Sequence, residues 1–208
     1  MSIKVHHLNN SRSQRILWLL EEIGAPYEII HHQRDAVTSL APPELLDIHP
    51  LGKSPVIDDD GQIVFESAAI VEYICERHGG ENLVPARGSD DHIRYLEWLH
   101  FAEGSAMTPI LLNLYTSRLG DAAAPLRPRI DHQLQSHFQY MEDSLLASGW
   151  FVGDSLTGAD IMMSFPAEAA VKMGYAADKP KLTAYVAALH ARPAYQAALE
   201  KGGPYAYA

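Results

Sequence analysis

The sequence predicts an α+β domain with the element order βαβαββα, followed by an all-α domain. Residues 1–80 alternate short β-rich runs with helical periods, whereas 89–208 carry apolar stripes at helical spacing without a competing strand pattern. Between them, residues 81–88 (ENLVPARG) have the composition of a linker. The predicted domains are therefore 1–80 and 89–208, joined by 81–88.

Local patterns place each element of the first domain. Gly24 ends an amphipathic helical period, and Asp59-Asp60-Gly61 is a hairpin signal between two β-rich runs. The predicted elements are a strand at 3–7, a helix at 14–23, a strand at 27–31, a short helix near 44–46, strands at 54–58 and 62–65, and a helix at 67–78.

The second domain begins with a long helical pattern over residues 94–119, in which Pro109 predicts a kink. The next helix shows a buried stripe with steps of four, four, three and four. Its members are Ile130, Leu134, Phe138, Met141 and Leu145. Thr157 and Asp160 have the spacing of a capping box that begins a third helix, and two further helices flank Arg192-Pro193.

Composition excludes several classes of protein. The formal net charge is −10, from 26 acidic and 16 basic residues, which disfavours nucleic acid and anionic membranes as partners. The single cysteine excludes an internal disulfide. Adjacent histidines at 6–7 and 31–32 point to opposite faces of their predicted strands, so no metal site is expected. We expect a cytoplasmic protein that binds neither a metal, nor nucleic acid, nor a membrane.

Three short segments have either a functional or a purely structural role. Residues 9–15 (NNSRSQR) lie between a strand and a helix, where small polar side chains either cap the helix or help it to stabilise an anion such as a thiolate. Glu66-Ser67 offers the same two alternatives, a helix cap or a clamp for a carboxylate. Ser54-Pro55 enters a strand, where proline marks an edge, a bulge or a special purpose.

In this order and spacing, four segments resemble the cytosolic glutathione transferases, in particular the serine-type, theta-like members of bacteria and fungi. They are Ser11-Arg-Ser-Gln-Arg15, Lys53-Ser-Pro-Val56, Glu66-Ser-Ala-Ala-Ile70 and Thr157-Gly-Ala-Asp160. The resemblance covers essentially the whole chain. It implies the glutathione transferase fold, a thioredoxin-like first domain with cis Pro55, a helical domain that contributes the site for the electrophile, and a homodimer.

The resemblance also implies the activity. Glutathione is the co-substrate, and its thiol is activated as a thiolate for attack on a hydrophobic electrophile, a detoxification reaction, or on a peroxide or disulfide. Ser11 lies four residues before Arg15, the spacing of the catalytic hydroxyl in serine-type members. Asn10, Arg12 and Ser13 are neighbouring candidates for supporting the sulfur, and Asn10 and Ser13 remain alternatives to Ser11.

Further positions transfer as the glutathione-binding set. The backbone of Ser54, before Pro55, pairs with the cysteinyl backbone, and Lys53 suits the glycyl carboxylate. Glu66 and Ser67 hold the γ-glutamyl end. The electrophile site is expected against a helix face, and its candidate members are Met107, Leu111 and Tyr115, whose spacing also fits a core stripe.

A second hypothesis is that the protein has the same fold but does not catalyse the glutathione reaction. Some relatives of this family bind ligands or partner proteins without catalysis, and such relatives often lose the glutathione contacts. Ser11, Lys53, Glu66 and Ser67 are all present here, which favours the enzyme. Fold by itself would not decide between the two.

Overall fold

In the computed structural model, which describes residues 2–208, a four-stranded sheet and its helices are formed from the predicted βαβαββα segment. The elements are β1 (Ile3–Leu8), α1 (Gln14–Ile23), β2 (Tyr27–His32), α2 (Leu45–Ile48), β3 (Val56–Asp59), β4 (Gln62–Phe65) and α3 (Ser67–Arg77). The predicted fold class is confirmed, in this element order and in the helical part that follows.

The sheet has the strand order β2-β1-β3-β4. β1 is parallel to β2 and antiparallel to β3, and β3 is antiparallel to β4. The register aligns His6 of β1, Val56 of β3 and Phe65 of β4 in one row. The chain therefore leaves β1, enters β3 and leaves β4 at the same end of the sheet.

One helix from the far end of the chain packs on this first unit. The first compact unit consists of the residues up to Val84 together with His190–Ala208. The second of these segments includes α9 (Pro193–Gly202). Trp18 of α1 and Tyr195 of α9 are both buried and meet edge to face with ring centroids 5.5 Å apart. This division differs from the predicted boundaries, because the apolar face of α9 is buried against α1 rather than against its neighbours in sequence.

The second unit spans Pro85–Leu189. Its elements are α4 (Asp90–Phe101), a π-helical segment (Ala102–Ala106), α5 (Met107–Thr116), a 3-10 segment (Ser117–Ala123), α6 (Arg127–Ser144), α7 (Gly158–Lys172) and α8 (Pro180–His190). The irregularity predicted at Pro109 lies one turn earlier. Proline lacks the amide that would bond to Ser105 and its ring crowds that carbonyl, so the helix widens before the proline.

The start of α7 is held by the predicted capping box of Thr157 and Asp160. The Asp160 carboxylate accepts from the Thr157 amide and the Thr157 hydroxyl, both at 2.9 Å, and from the Phe151 amide at 3.0 Å. Asp160 is fully buried, and burial raises the pKa of its carboxyl to about 6. One side chain thus joins the loop at Phe151 to the helix.

Candidate functional site

All three segments singled out in the sequence meet at one end of the sheet. Residues 9–13 follow β1, Ser54-Pro55 precede β3, and Glu66-Ser67 follow β4. The Ser54 hydroxyl donates to the His6 carbonyl at 2.7 Å, and the Ser54-Pro55 peptide is cis. The antiparallel pairings of the sheet, rather than closeness in sequence, bring these segments together.

The two serines before α1 have different surroundings. Ser13 is fully buried, and its hydroxyl oxygen accepts from the Leu8 amide at 3.2 Å. The same oxygen lies 2.9 Å from His7 Nδ1 and 2.8 Å from Ser11 Oγ. Ser11 Oγ also accepts from the Ser13 amide at 3.2 Å. The Ser13 hydroxyl therefore makes its hydrogen bonds with groups inside the protein, and Ser11 is held in place by its two contacts with Ser13.

His7 is a buried neutral side chain. Burial, and after it the neighbouring His31, lowers the pKa of its imidazole to about 4. A hydrogen bond to the backbone of Gly202 favours the protonated ring. Because only an acceptor favours protonation, that partner is the Gly202 carbonyl, which receives a ring N–H. The sequence interpretation treated this histidine as ordinary and missed its contact with Ser13.

Arg15 connects the start of α1 with the start of α3. Arg15 is 2% exposed, and its Nη2 donates to Ser67 Oγ at 3.4 Å. Burial of a charge is costly unless polar partners or a ligand compensate it. The positively charged Arg15 guanidinium therefore lies next to Ser67 at the N-terminus of α3. The γ-glutamyl carboxylate is expected at this helix N-terminus.

Glu66 has an unusual backbone conformation for a residue with a side chain. Its φ is 68° and its ψ is 122°, and within residues 2–208 its side chain makes no capping hydrogen bond to α3. Such conformations cost about 1–3 kcal/mol and cluster at functional sites. The alternative of a simple helix cap is therefore not what the structure shows at Glu66.

The remaining candidates around the first two segments differ in exposure. Lys53 is exposed, next to Ser54, and Arg12 is half-buried. Asn10 adopts a φ of 50°, and its side-chain oxygen accepts from the Ala206 amide at 2.8 Å. The Asn10 side chain is thus engaged with the C-terminal segment.

The predicted electrophile-site residues do not share one environment. Met107 is 2% exposed and belongs to the core of the helical unit, whereas Leu111 is half-buried and Tyr115 is 59% exposed. A spacing of four residues drifts around a helix, so the three side chains spread from the core to the surface.

Neither a metal-binding cluster nor a membrane-spanning helix is found within residues 2–208. In that range, no group of three or more His, Cys, Asp or Glu side chains is placed to hold a metal ion. Over the same residues, every helix is too short or too polar to cross a bilayer.

Family comparisons agree with this architecture. Residues 1–76 match the family described as "Glutathione S-transferase, N-terminal domain". Residues 106–202 match "Glutathione S-transferase, C-terminal domain".

Individual relatives span nearly the whole chain. Glutathione S-transferase 1 of Saccharomyces cerevisiae is 32% identical, over 96% of this chain and 94% of its own. Glutathione S-transferase 3 of Schizosaccharomyces pombe is 33% identical, over 96% and 87%. The crystal structure of a glutathione S-transferase from Actinobacillus pleuropneumoniae is 36% identical and superposes with a TM-score of 0.88, over 99% of this chain and 95% of its own.

Proposed function

The chain belongs to the glutathione S-transferase family, and we propose that it binds glutathione at the end of the sheet where β1, β3 and β4 meet. The observation that carries this proposal is the buried Arg15, which joins the start of α1 to Ser67. It links the segment proposed to face the thiol with the segment proposed to face the γ-glutamyl carboxylate. The thiol in the middle of glutathione and the carboxylate at its γ-glutamyl end can then be held by neighbouring groups.

Ser11 is the proposed thiolate donor. A thiol with a pKa of about 8.5 is only a few per cent ionised at pH 7. A hydrogen bond to a charged acceptor contributes about 1.5–3 kcal/mol, which lowers that pKa by about one to two units. Ser11 serves as a donor and not as a nucleophile, so it needs no general base. Its hydroxyl supports this role better than that of Ser13, which is surrounded by interior partners.

The other contacts divide the tripeptide between them. The backbone of Ser54, held before Pro55, pairs with the cysteinyl backbone as a short β-ladder. Lys53 takes the glycyl carboxylate. Glu66 and Ser67 hold the γ-glutamyl amine and carboxylate, with the Arg15 charge behind them.

The second substrate is proposed to be a hydrophobic electrophile. The exposed face of α5 near Leu111 and Tyr115 is the candidate surface for it, whereas Met107 is buried in the core and is not open to a ligand. The same thiolate can attack a peroxide or a disulfide. A screen of aryl halides, epoxides, peroxides and mixed disulfides distinguishes these reactions. The proposed role is detoxification, and the proposed location is the cytoplasm.

Ser67→Ala should weaken glutathione binding by about 1–3 kcal/mol, because a buried carboxylate then loses a hydrogen-bond donor. Calorimetric titration with glutathione measures this change. The pKa of the bound thiol should stay close to that of the parent protein, since Ser11 is unaltered. Equal affinity in the variant and the parent would remove Ser67 from the binding set.

A non-catalytic ligand- or protein-binding role is the alternative. Retention on immobilised glutathione together with turnover of any electrophile in the screen supports the enzyme. Retention without turnover of all four substrate classes would favour the binding protein.

We also propose a homodimer, as the family resemblance implies. Sedimentation equilibrium at micromolar concentration should give about twice the mass of one chain, in accordance with an interface that resists dilution. A mass of one chain across that concentration range would contradict the dimer.

A further inference from the structure

A chain of buried hydrogen bonds leads from Ser11 into the protein. Ser11 Oγ lies 2.8 Å from Ser13 Oγ, which lies 2.9 Å from His7 Nδ1. All three side chains are at most 5% exposed. Each contact needs one proton between its two atoms, so the direction of every bond depends on the next one.

The carbonyl of Gly202 sets that direction. Gly202 borders the His7 ring, whose Cε1 lies 3.4 Å from the position that a Cβ at Gly202 would take, and a backbone hydrogen bond there favours the protonated ring, as a carbonyl acceptor does. Nδ1 is the ring nitrogen that faces Ser13. In a neutral imidazole the other nitrogen then carries the proton, and Nδ1 is an acceptor. The Ser13 hydroxyl therefore donates to His7, since its other acceptor, the Leu8 carbonyl, is more distant at 3.3 Å.

Ser11 is left with one way to complete its contact. Because the Ser13 hydroxyl donates its proton to the hydrogen bond with His7, Ser13 Oγ accepts a hydrogen bond from the Ser11 hydroxyl across the 2.8 Å contact. This is the same proton that the proposed function assigns to the sulfur of glutathione. Ser11 has no second hydroxyl proton, so the two acceptors exclude each other.

We propose that Ser13 and His7 compete with the bound thiolate for the hydroxyl proton of Ser11, and so set how strongly Ser11 stabilises that thiolate. The inference rests on the proposed function of Ser11. A thiolate is charged and is the stronger acceptor, so Ser11 turns its proton toward the sulfur when glutathione binds. The Ser13 amide keeps Ser11 Oγ in place during this rotation. Ser13 and His7 are positioning residues that act through Ser11.

Removal of the competing acceptor should strengthen the thiolate. In Ser13→Ala we expect the ratio of thiolate to thiol in bound glutathione to rise about five-fold at fixed pH, the equivalent of one lost neutral hydrogen bond. Ultraviolet absorbance of the thiolate as a function of pH measures this ratio. Ser13→Thr retains the hydroxyl and should restore the ratio of the parent protein. A merely structural role of Ser13 would lower the melting temperature without lowering the thiol pKa.

A double-mutant cycle separates this inference from the proposed function. Because Ser13 acts through Ser11, Ser11→Ala and Ser11→Ala/Ser13→Ala should have the same thiol pKa. If Ser11→Ala raises the thiol pKa but Ser13→Ala leaves it unchanged or raises it, competition by Ser13 is overturned and the function stands. If Ser11→Ala leaves the thiol pKa unchanged, the proposed role of Ser11 fails, and the competition fails with it.

His7→Phe tests the same network without altering either serine. Phenylalanine keeps a flat ring but offers no acceptor, so the Ser13 proton divides between the Leu8 carbonyl at 3.3 Å and Ser11 Oγ at 2.8 Å. The Ser11 proton is released toward the sulfur whenever Ser13 donates to Ser11, so the thiol pKa should fall, but by less than in Ser13→Ala. A folded His7→Phe protein with the thiol pKa of the parent would overturn the part assigned to His7.

Discussion

Asp160→Ala should lower the free energy of unfolding by about 3–5 kcal/mol and the melting temperature by about 10 °C. The substitution leaves the amides of Phe151 and Thr157 without their acceptor. A buried donor that loses its partner costs about 1–3 kcal/mol, and the lost cap adds to this. Chemical denaturation and thermal melting measure the loss. Protein that does fold should bind glutathione with almost unchanged affinity.

Two variants test this explanation. Asp154→Ala removes an exposed carboxylate from the same loop and should change stability by less than about 0.5 kcal/mol. Asp160→Asn keeps the shape but cannot ionise. Burial raises the pKa of Asp160 to about 6 in the folded protein, so this carboxyl contributes less stability as pH rises from about 4 to about 6. The asparagine variant should lack that part of the pH dependence. A normal melting temperature with lost activity would instead assign Asp160 to the active site.

Ser11→Ala should lower turnover at neutral pH by about 8- to 25-fold, the drop in the ionised fraction of the bound thiol. The bound thiol loses a charge-assisted hydrogen bond of about 1.5–3 kcal/mol, so its pKa should rise by about one to two units. The rate should recover toward high pH, where the thiol ionises without help. Glutathione affinity should change little, because the contacts at Lys53, Ser54 and Ser67 are retained.

Ser67→Ala is the matched control for Ser11→Ala. It should weaken affinity and leave the thiol pKa nearly unchanged, the opposite pattern. Both serines are buried and both begin or precede a helix, so a general loss of stability would affect the two variants alike. An unchanged thiol pKa in Ser11→Ala would transfer the donor role to Asn10, Ser13 or backbone amides.

Short-range patterns in the sequence determined where several helices begin and end and which of their faces are buried. Gly24 ends α1 in the left-handed conformation that glycine adopts easily, and the apolar stripe of α6 is buried from Ile130 to Met141. The capping box at Thr157 and Asp160 was predictable for the same reason. These features depend on neighbours within one or two turns, which a sequence displays directly. The motifs around Ser11 and Glu66 also identified the family.

Other features depend on groups that are far apart in sequence. The contact of Arg15 with Ser67 spans 52 positions, and the bond between His7 and Gly202 requires α9 to pack on α1. Local periodicity shows that α9 has an apolar face but not which helix covers it, so the sequence assigned residues 190–208 to the helical domain. The donor and acceptor roles of Ser11, Ser13 and His7 likewise depend on the tertiary structure. Hydrogen-bond direction is decided by what each buried atom meets, and those partners are chosen by packing.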